Sequence, residues 1–180
     1  TQVTIPEKAT NSLNGESYTV TAIADKAFRN TKFNGEITSI TLPDSLKEIG
    51  DFAFFSCFKL EDINLPDGLT KIGYQAFQNC YSLTEITIPS SVTTMGSHVF
   101  NRCTGLKEVT FEKNSQLSAL PDATFANCIS LESFTLPNGF ASIGKNAFYK
   151  CGKLTTLNIS DDVTEIKKDA FIDCAKFNTI

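Results

Sequence analysis

The chain has 180 residues, of which 41% are hydrophobic, and its formal net charge at pH 7 is −4. This composition is typical of a globular protein that is large enough to bury a core. Because the chain is mildly acidic and has no basic cluster with interleaved aromatic residues, it lacks the signature of a nucleic-acid-binding surface. It also contains no run of 18 apolar residues, so no membrane span is predicted in this segment.

Residues 1–19 predict an irregular N-terminal coil that caps one end of a repeat array. Residues 3–6 have the pattern of a short strand that ends at Pro6. The dipeptide Asn14-Gly15 precedes the alternating residues 18–20, a pattern typical of a β-hairpin. A terminal coil normally differs from the internal ones because it covers their open apolar end.

From residue 20 onward one unit recurs, marked by a Phe-x-x-Cys pair. The six pairs follow one another at steps of 23, 23, 25, 23 and 23 residues. A period of this length is typical of a solenoid, in which each unit stacks on the next and shares one core with it. The pairs are Phe54 and Cys57, Phe77 and Cys80, Phe100 and Cys103, Phe125 and Cys128, Phe148 and Cys151, and Phe171 and Cys174.

Each unit predicts a strand, a corner and a turn. In Ile63-Asn64-Leu65 apolar and polar residues alternate, which is typical of a strand with one buried face, and proline follows the strand and ends it. The Ala-Phe-x-x-Cys-x-x-Leu stretch places apolar residues three apart, which favours a short helical or 3-10 turn on the opposite side. Gly73 stands at the corner between them, where a residue without Cβ turns freely. We therefore predict an α/β repeat solenoid of about seven 23-residue coils with a parallel sheet on one face.

The six cysteines have three possible roles. The favoured role is a ladder of small buried hydrophobic side chains, because free cysteine is among the most buried residue types. A disulfide between adjacent coils would need a near-perpendicular torsion that side chains pointing the same way cannot adopt without distorting both coils. A zinc site usually has cysteines two to four residues apart, whereas these are at least 23 residues apart.

No motif in the chain indicates catalysis. His98 is the single histidine, and its column in the repeat otherwise holds Gln75, Asn146 and Asp169, so it is expected to face solvent. Nothing places a nucleophile or an orienting acid beside it. The sequence has no G-x-S-x-G, phosphate-binding loop or H-E-x-x-H motif. We predict no enzymatic activity, no cofactor and no metal site.

The outward face of the predicted sheet is the first candidate binding surface. Its strands carry an acidic column and a neighbouring column of amide and hydroxyl side chains, which would suit a basic ligand. Alternatively, a threonine-rich outward column reflects only the preference of β-branched residues for strands. The candidate residues are Asp62, Asn64, Glu85, Thr87, Glu108 and Thr110.

A pair of aromatic residues is the second candidate binding surface. Phe58 and Tyr81 each follow a cysteine of the repeat, and later coils hold Thr104, Ile129 or Gly152 at this position. The repeat therefore does not require aromatic side chains there. An exposed pair would indicate a binding site; alternatively, the two rings fold over the turn region.

The shared frame L-x-x-I-x-L-P-x-x-L-T-x-I-G-x-x-A-F-x-x-C resembles the leucine-rich repeats of the BspA-like family of bacterial surface proteins. The resemblance covers about residues 20–180, and residues 109–120 resemble the variant of this repeat that is two residues longer. It implies a leucine-rich-repeat fold, a right-handed arc or horseshoe. It also implies a secreted or cell-surface location and adhesion to host matrix proteins or to other cells.

Both ends of the repeat array depart from the pattern. Phe28 opens a further coil in which Thr31 takes the place of the cysteine, with additional residues around positions 32–36. The chain begins without methionine and stops at Ile180, an expected inward-facing strand position. We interpret residues 1–180 as one leucine-rich repeat domain whose C-terminal end is truncated.

Together these features predict a non-enzymatic protein-interaction or adhesion module of a secreted or surface-displayed bacterial protein. It would bind a protein ligand, such as a host matrix or cell-surface protein, through an extended face of the solenoid, and a monomer is favoured. The alternatives are a structural spacer and the non-catalytic part of a larger surface enzyme.

Overall fold

The computed structural model describes residues 1–29 and 35–174, and within these ranges it contains sixteen short strands and no helix. In chain order the strands are β1 (Gln2–Thr4), β2 (Lys8–Thr10), β3 (Ser17–Thr19), β4 (Ala22–Ile23), β5 (Ser39–Thr41), β6 (Glu48–Ile49), β7 (Asp62–Ile63), β8 (Lys71–Ile72), β9 (Glu85–Ile88), β10 (Thr94–Met95), β11 (Glu108–Phe111), β12 (Ala119–Leu120), β13 (Ser133–Thr135), β14 (Ser142–Ile143), β15 (Thr156–Asn158) and β16 (Glu165–Ile166). The predicted repeat solenoid with parallel strands is confirmed.

Each turn of the solenoid contributes one strand to each of two parallel rows. The first row has the ladders β1–β5–β7, β9–β11 and β13–β15, and the second has β4–β6–β8–β10 and β12–β14–β16. The first row is the predicted sheet, and its register pairs Ile40 with Ile63 and Ile86 with Val109, one repeat apart. The second row was not predicted, because its two-residue strands are too short for an alternating pattern to be visible.

The segment from each corner to the cysteine forms consecutive hydrogen-bonded turns instead of the expected short helical or 3-10 turns. Phe55 N–H donates to the Phe52 carbonyl at 3.1 Å, and Cys57 N–H donates to the Phe54 carbonyl at 3.1 Å. Phe52 and Ser56 have φ of 57° and 61°. A left-handed residue at every fourth position prevents helical hydrogen bonding from continuing.

The core is a continuous stack of the repeated phenylalanine rings. Rings in adjacent coils are stacked with centroids 5.1 to 5.6 Å apart, from Phe28 at one end to Phe171 at the other. Phe54, Phe77 and Phe100 are fully buried. Burying one such side chain contributes about 1.5–3 kcal/mol, so this column is a main source of stability.

The cysteines lie beside this stack as free thiols, as the favoured interpretation predicted. The Sγ of Cys103 donates to the carbonyl of Phe77 in the preceding coil at 3.2 Å, and the Sγ of Cys128 contacts the carbonyl of Phe100 in the same way. Burial raises the pKa of the Cys103 thiol to about 12 from an ordinary 9.0. The fully buried thiols are therefore neutral side chains. Those of Cys80, Cys103, Cys128 and Cys151 join adjacent coils.

The corner glycines are required by close approach of the chain and not, as expected, by conformational freedom. A Cβ added at Gly73 would lie 2.5 Å from the carbonyl carbon of Gly50, and one at Gly96 would lie 2.5 Å from the backbone nitrogen of Tyr74. Neither glycine has φ in the left-handed region. Adjacent corners are in backbone contact, and any side chain there would separate the coils.

The N-terminal segment contains both elements that its sequence predicts. Strand β1 pairs parallel to β5, and β2 pairs antiparallel to β3 around the loop that holds Asn14 and Gly15. All residues of the two hairpin strands are exposed, whereas Val3 and Ile5 pack against the core. A capping role for residues 1–19 stays a prediction. Thr31 and Ile180 lie outside the described residues.

Candidate binding surfaces

The strand face, defined here as the outward side of the first row of strands, exposes the predicted acidic column. Asp62, Glu85 and Glu108 are exposed at the first position of β7, β9 and β11. Because side chains alternate along a strand, the residues that follow them, such as Ile86 and Val109, point into the core. The exposed carboxylates therefore make no contribution to core packing.

The charge on the strand face is strongly one-sided. Strands β7, β9, β11 and β13 and the residue preceding each carry five exposed carboxylates and one exposed cation, Lys107. The five are Glu61, Asp62, Glu85, Glu108 and Glu132. Glu85 and Glu108 lie directly opposite each other in the register of β9 and β11. The ion pairs found among the described residues join Lys59 to Glu36, Lys71 to Glu48 and Lys168 to Asp169, so none of the five is paired there.

The second predicted column is exposed on the same face and lines two depressions. Asn64 lines one of about 570 Å³ together with Asp44 and Asp67. Glu108 and Thr110 line another of about 620 Å³, together with Lys107 and Glu132. Thr87, between them, is exposed on β9.

The larger depression coincides with the coil that is two residues longer than the others. Phe111 in this coil is only partly buried and packs edge-on against Phe134 at 6.1 Å and Phe140 at 5.4 Å. No ladder joins β11 to β13. The longer coil thus opens the first row at this point and forms the depression.

On the turn side, defined as the surface formed by the segments around the cysteines, Phe58 and Tyr81 form an exposed ring pair. Their rings are stacked with centroids 5.2 Å apart and an interplanar angle of 17°. The two residues remain 41% and 42% exposed, whereas the repeated phenylalanines Phe54 and Phe77 are fully buried. The pair therefore lies outside the core, in a form accessible to a partner.

Sequence reasoning did not identify a shallow groove of about 430 Å³ beside this pair. Tyr81, Arg102, Thr104, Asn127 and Ile129 line it. The only signal for it in the sequence is the change from Phe58 and Tyr81 to Thr104 and Ile129 along one column. The absence of a ring at one position indicates a groove only when the positions of the neighbouring coils in space are known.

His98 is half-buried and not solvent-facing as expected. Its ring packs edge-on against Tyr74 at 5.7 Å, and Tyr74 in turn packs edge-on against Phe52 at 5.3 Å. The guanidinium of Arg29 lies over the Phe52 ring at 4.9 Å. His98 thus belongs to a row of aromatic and cationic side chains along the corner.

The described residues contain no group of three or more side chains that could hold a metal ion. The same part of the chain includes no helix long and apolar enough to cross a membrane.

The repeat that forms these surfaces matches a known family model. The BspA type leucine rich repeat region matches residues 21–120 and 113–180, with six copies. The chain belongs to this family. No curated protein sequence matches it.

Solved structures of bacterial leucine-rich repeat proteins share the fold. The T. pallidum leucine-rich repeat protein is 29% identical with a TM-score of 0.84, over 98% of this chain and 77% of its own. A leucine-rich repeat protein from Bacteroides ovatus is 27% identical with a TM-score of 0.68, over 97% of this chain and 50% of its own. The pneumococcal vaccine antigen PcpA is 31% identical with a TM-score of 0.72, over 89% of this chain and 40% of its own. Family membership suggests a protein-interaction module.

Proposed function

We propose that this chain is a non-enzymatic protein-interaction and adhesion module of a secreted or surface-displayed bacterial protein. Its strand face binds a basic segment of a protein partner, such as a host matrix or cell-surface protein. The proposal rests on the acidic column of Asp62, Glu85 and Glu108, which lies on three consecutive strands of the first row and forms no ion pair among the described residues.

The acidic column slightly destabilises the chain when no partner is bound. Like charges directly opposite each other on paired strands destabilise a sheet, and Glu85 and Glu108 are so placed. Core packing does not require them, because both side chains are exposed. A basic ligand that neutralises the column would offset this repulsion and would associate faster at low salt.

The strand face is concave at the two depressions and can therefore recognise a partner by shape as well as by charge. Asn64 and Thr110 line one depression each, and their amide and hydroxyl groups both donate and accept hydrogen bonds. A partner segment lying along the strands would meet carboxylates for its lysines or arginines and neutral groups for its backbone. Solenoids use such extended faces to bind other proteins.

Two findings support an exposed location for the parent protein. The chain belongs to the BspA type family, and the similar protein PcpA is a vaccine antigen. Use of PcpA as a vaccine antigen is consistent with a protein that antibodies can reach. We carry this location over to the present chain as part of the proposal.

The proposal is tested by screening the chain against immobilised extracellular-matrix proteins, mucins and glycans at low and physiological salt. We expect binding to at least one basic protein, weakening steeply as salt rises because exposed charges are screened. Binding to none of the probes at low salt would contradict the proposal and favour a structural spacer.

A further inference from the structure

The ring column of the turn side ends at Tyr81. Phe58 and Tyr81 stack face to face, the next coil places Thr104 at the equivalent position, and the coil after that places Ile129 there. Tyr81, Thr104 and Ile129 all line the shallow groove. The groove is therefore the place where the next ring of the stack is missing.

The width of this gap suits one flat ring. Tyr81 and Ile129 are two coils apart, and two strand spacings correspond to roughly 10 Å. Stacked aromatic rings lie about 4.5–7 Å apart between centroids, so one inserted ring would contact Tyr81 on one side and Ile129 on the other. Phe58 covers the opposite face of Tyr81 and supports it in this position.

A free cation borders the gap. Arg102 is exposed and lines the groove, and it takes part in no ion pair among residues 1–29 and 35–174. It has φ of 61° in a column where neighbouring coils hold Asn79 and Asn127. Asparagine tolerates this left-handed conformation better than arginine, so backbone geometry does not explain the choice of Arg102.

The backbone around the groove is held in place by coil-to-coil hydrogen bonds. Arg102 N–H donates to the Ala126 carbonyl at 2.8 Å, and Gly105 N–H donates to the Tyr81 carbonyl at 2.9 Å. The amide nitrogen of Asn127 points to the Asn101 amide oxygen at 3.4 Å. A ligand would therefore meet a largely preformed site, which lowers the ordering cost of binding.

From these observations we propose a second binding site on the turn side, which accepts an aromatic side chain of a partner polypeptide that has a carboxylate beside it. The ring inserts between Tyr81 and Ile129 over Thr104, and the carboxylate pairs with the Arg102 guanidinium. Two apolar walls match the two apolar faces of an aromatic ring better than a sugar, whose hydroxyl groups would meet the methyl groups of Ile129. This site is independent of the strand face, which attracts the opposite charge.

The test uses the whole chain, labelled with ¹⁵N, and the acetylated peptide Gly-Glu-Trp-Glu-Gly. In a titration to about 5 mM peptide, where a single ring and one ion pair are detectable, we expect amide shifts at Tyr81, Arg102, Thr104 and Ile129. Gly-Glu-Leu-Glu-Gly, which lacks the ring, and Gly-Lys-Trp-Lys-Gly, which reverses the charge, should bind more weakly.

Thr104→Phe is the decisive variant, because it supplies the missing ring from within the chain. Its column already accepts Phe58 and Tyr81, so the fold should tolerate it, and a thermal melt verifies this. We expect it to abolish peptide binding, whereas Thr104→Ser should bind as the unmodified chain does. Arg102→Gln should weaken binding about tenfold, and Lys150→Gln, at the same column two coils away, should have no effect.

Several outcomes would overturn the proposal. They are the absence of shifts at these amides, unchanged binding by folded Thr104→Phe, and equal binding of the leucine peptide. Tighter binding of glucuronic acid at the same amides would replace the polypeptide partner by a carbohydrate. The variant Glu85→Gln/Glu108→Gln should bind the peptide normally, so a failure of the strand-face proposal is distinguishable from a failure of this one.

Discussion

The strand face and the turn side are formed by the same repeat but expose different chemistry. On the strand face, alternation along each strand leaves Asp62, Glu85 and Glu108 exposed without any role in packing. On the turn side, Phe58 and Tyr81 form an exposed stack a few residues from fully buried rings. The repeat fixes the buried columns on both sides, and the positions between them are free to carry binding residues.

The largest expected effect separates the buried rings from the exposed ones. Phe77→Ala should lower the free energy of unfolding by about 3–5 kcal/mol, because it leaves a cavity between Phe54 and Phe100 in the ring stack. Phe58→Ala should lower it by less than about 1 kcal/mol, since the ring is 41% exposed. Urea denaturation followed by circular dichroism measures both. Similar losses for the two variants would place Phe58 in the core.

The corner glycines should show the next largest effect. Gly73→Ala would force a Cβ against the Gly50 backbone, and we expect a loss of about 1–3 kcal/mol from overpacking. Gly152→Ala is the matched control, because nothing lies within 4 Å of the added Cβ. The control should stabilise the chain by about 0.4–1 kcal/mol, because alanine lowers the conformational entropy of the unfolded chain. Equal stability of the two variants in urea would contradict the close-approach account.

The buried thiols predict a loss of stability at alkaline pH. Burial raises the pKa of Cys57 and Cys103 to about 12, above the ordinary 9.0. The unfolded chain therefore loses these protons first. The stabilisation is fully present below about pH 9 and is lost as the pH rises toward 12. The urea concentration at the unfolding midpoint should therefore decrease as the pH is raised from 8 to about 10.5, the highest pH that is practical for the measurement.

The variant Cys103→Ala isolates this contribution from the other groups that titrate at high pH. Its urea midpoint should be lower at pH 8 but should fall less steeply than that of the unmodified chain. If the urea midpoints of the variant and of the unmodified chain decrease equally with pH, the pKa of the Cys103 thiol is not raised in the folded chain. Thiol reagents provide a second readout, since Cys80 and Cys103 should react only after unfolding.

The smallest expected effect is a gain of stability on the strand face. Glu108→Gln removes the repulsion with Glu85, its neighbour in the register, and should stabilise the chain by roughly 0.2–0.5 kcal/mol at low salt. The gain should vanish at high salt because the charges are exposed. A loss of stability at low salt would mean that Glu108 has a favourable partner within the chain.

Much of the fold could be predicted because buried columns repeat. Ile63 and Val109 occupy the same column and are both buried, so periodicity alone identified the first row of strands. The second row was missed because a strand such as Lys71–Ile72 shows no alternation. The turns were expected to be helical, because a left-handed conformation at Phe52 or Ser56 is not indicated by residue type.

The candidate surfaces were predictable only in part. Period-two alternation identified Asp62 and Glu85 as outward-facing, and both are exposed. The groove beside Tyr81 could not be predicted, because it depends on the spacing of three coils and on a ring that is missing at Thr104. The sequence shows which residue type each coil has at this position, whereas the groove depends on how three successive coils are placed in space.

Binding of the partner by the acidic strand face is tested by comparing two double variants. The variants Glu85→Gln/Glu108→Gln and Glu48→Gln/Glu165→Gln each remove two exposed carboxylates, the first pair from the strand face and the second from the other row of strands. Surface plasmon resonance measures binding of both to the panel of matrix proteins and mucins at low salt. We predict that the strand-face variant loses at least about tenfold in affinity while the matched variant binds as the unmodified chain does. Equal affinities of the two variants would contradict binding of the partner through the strand face.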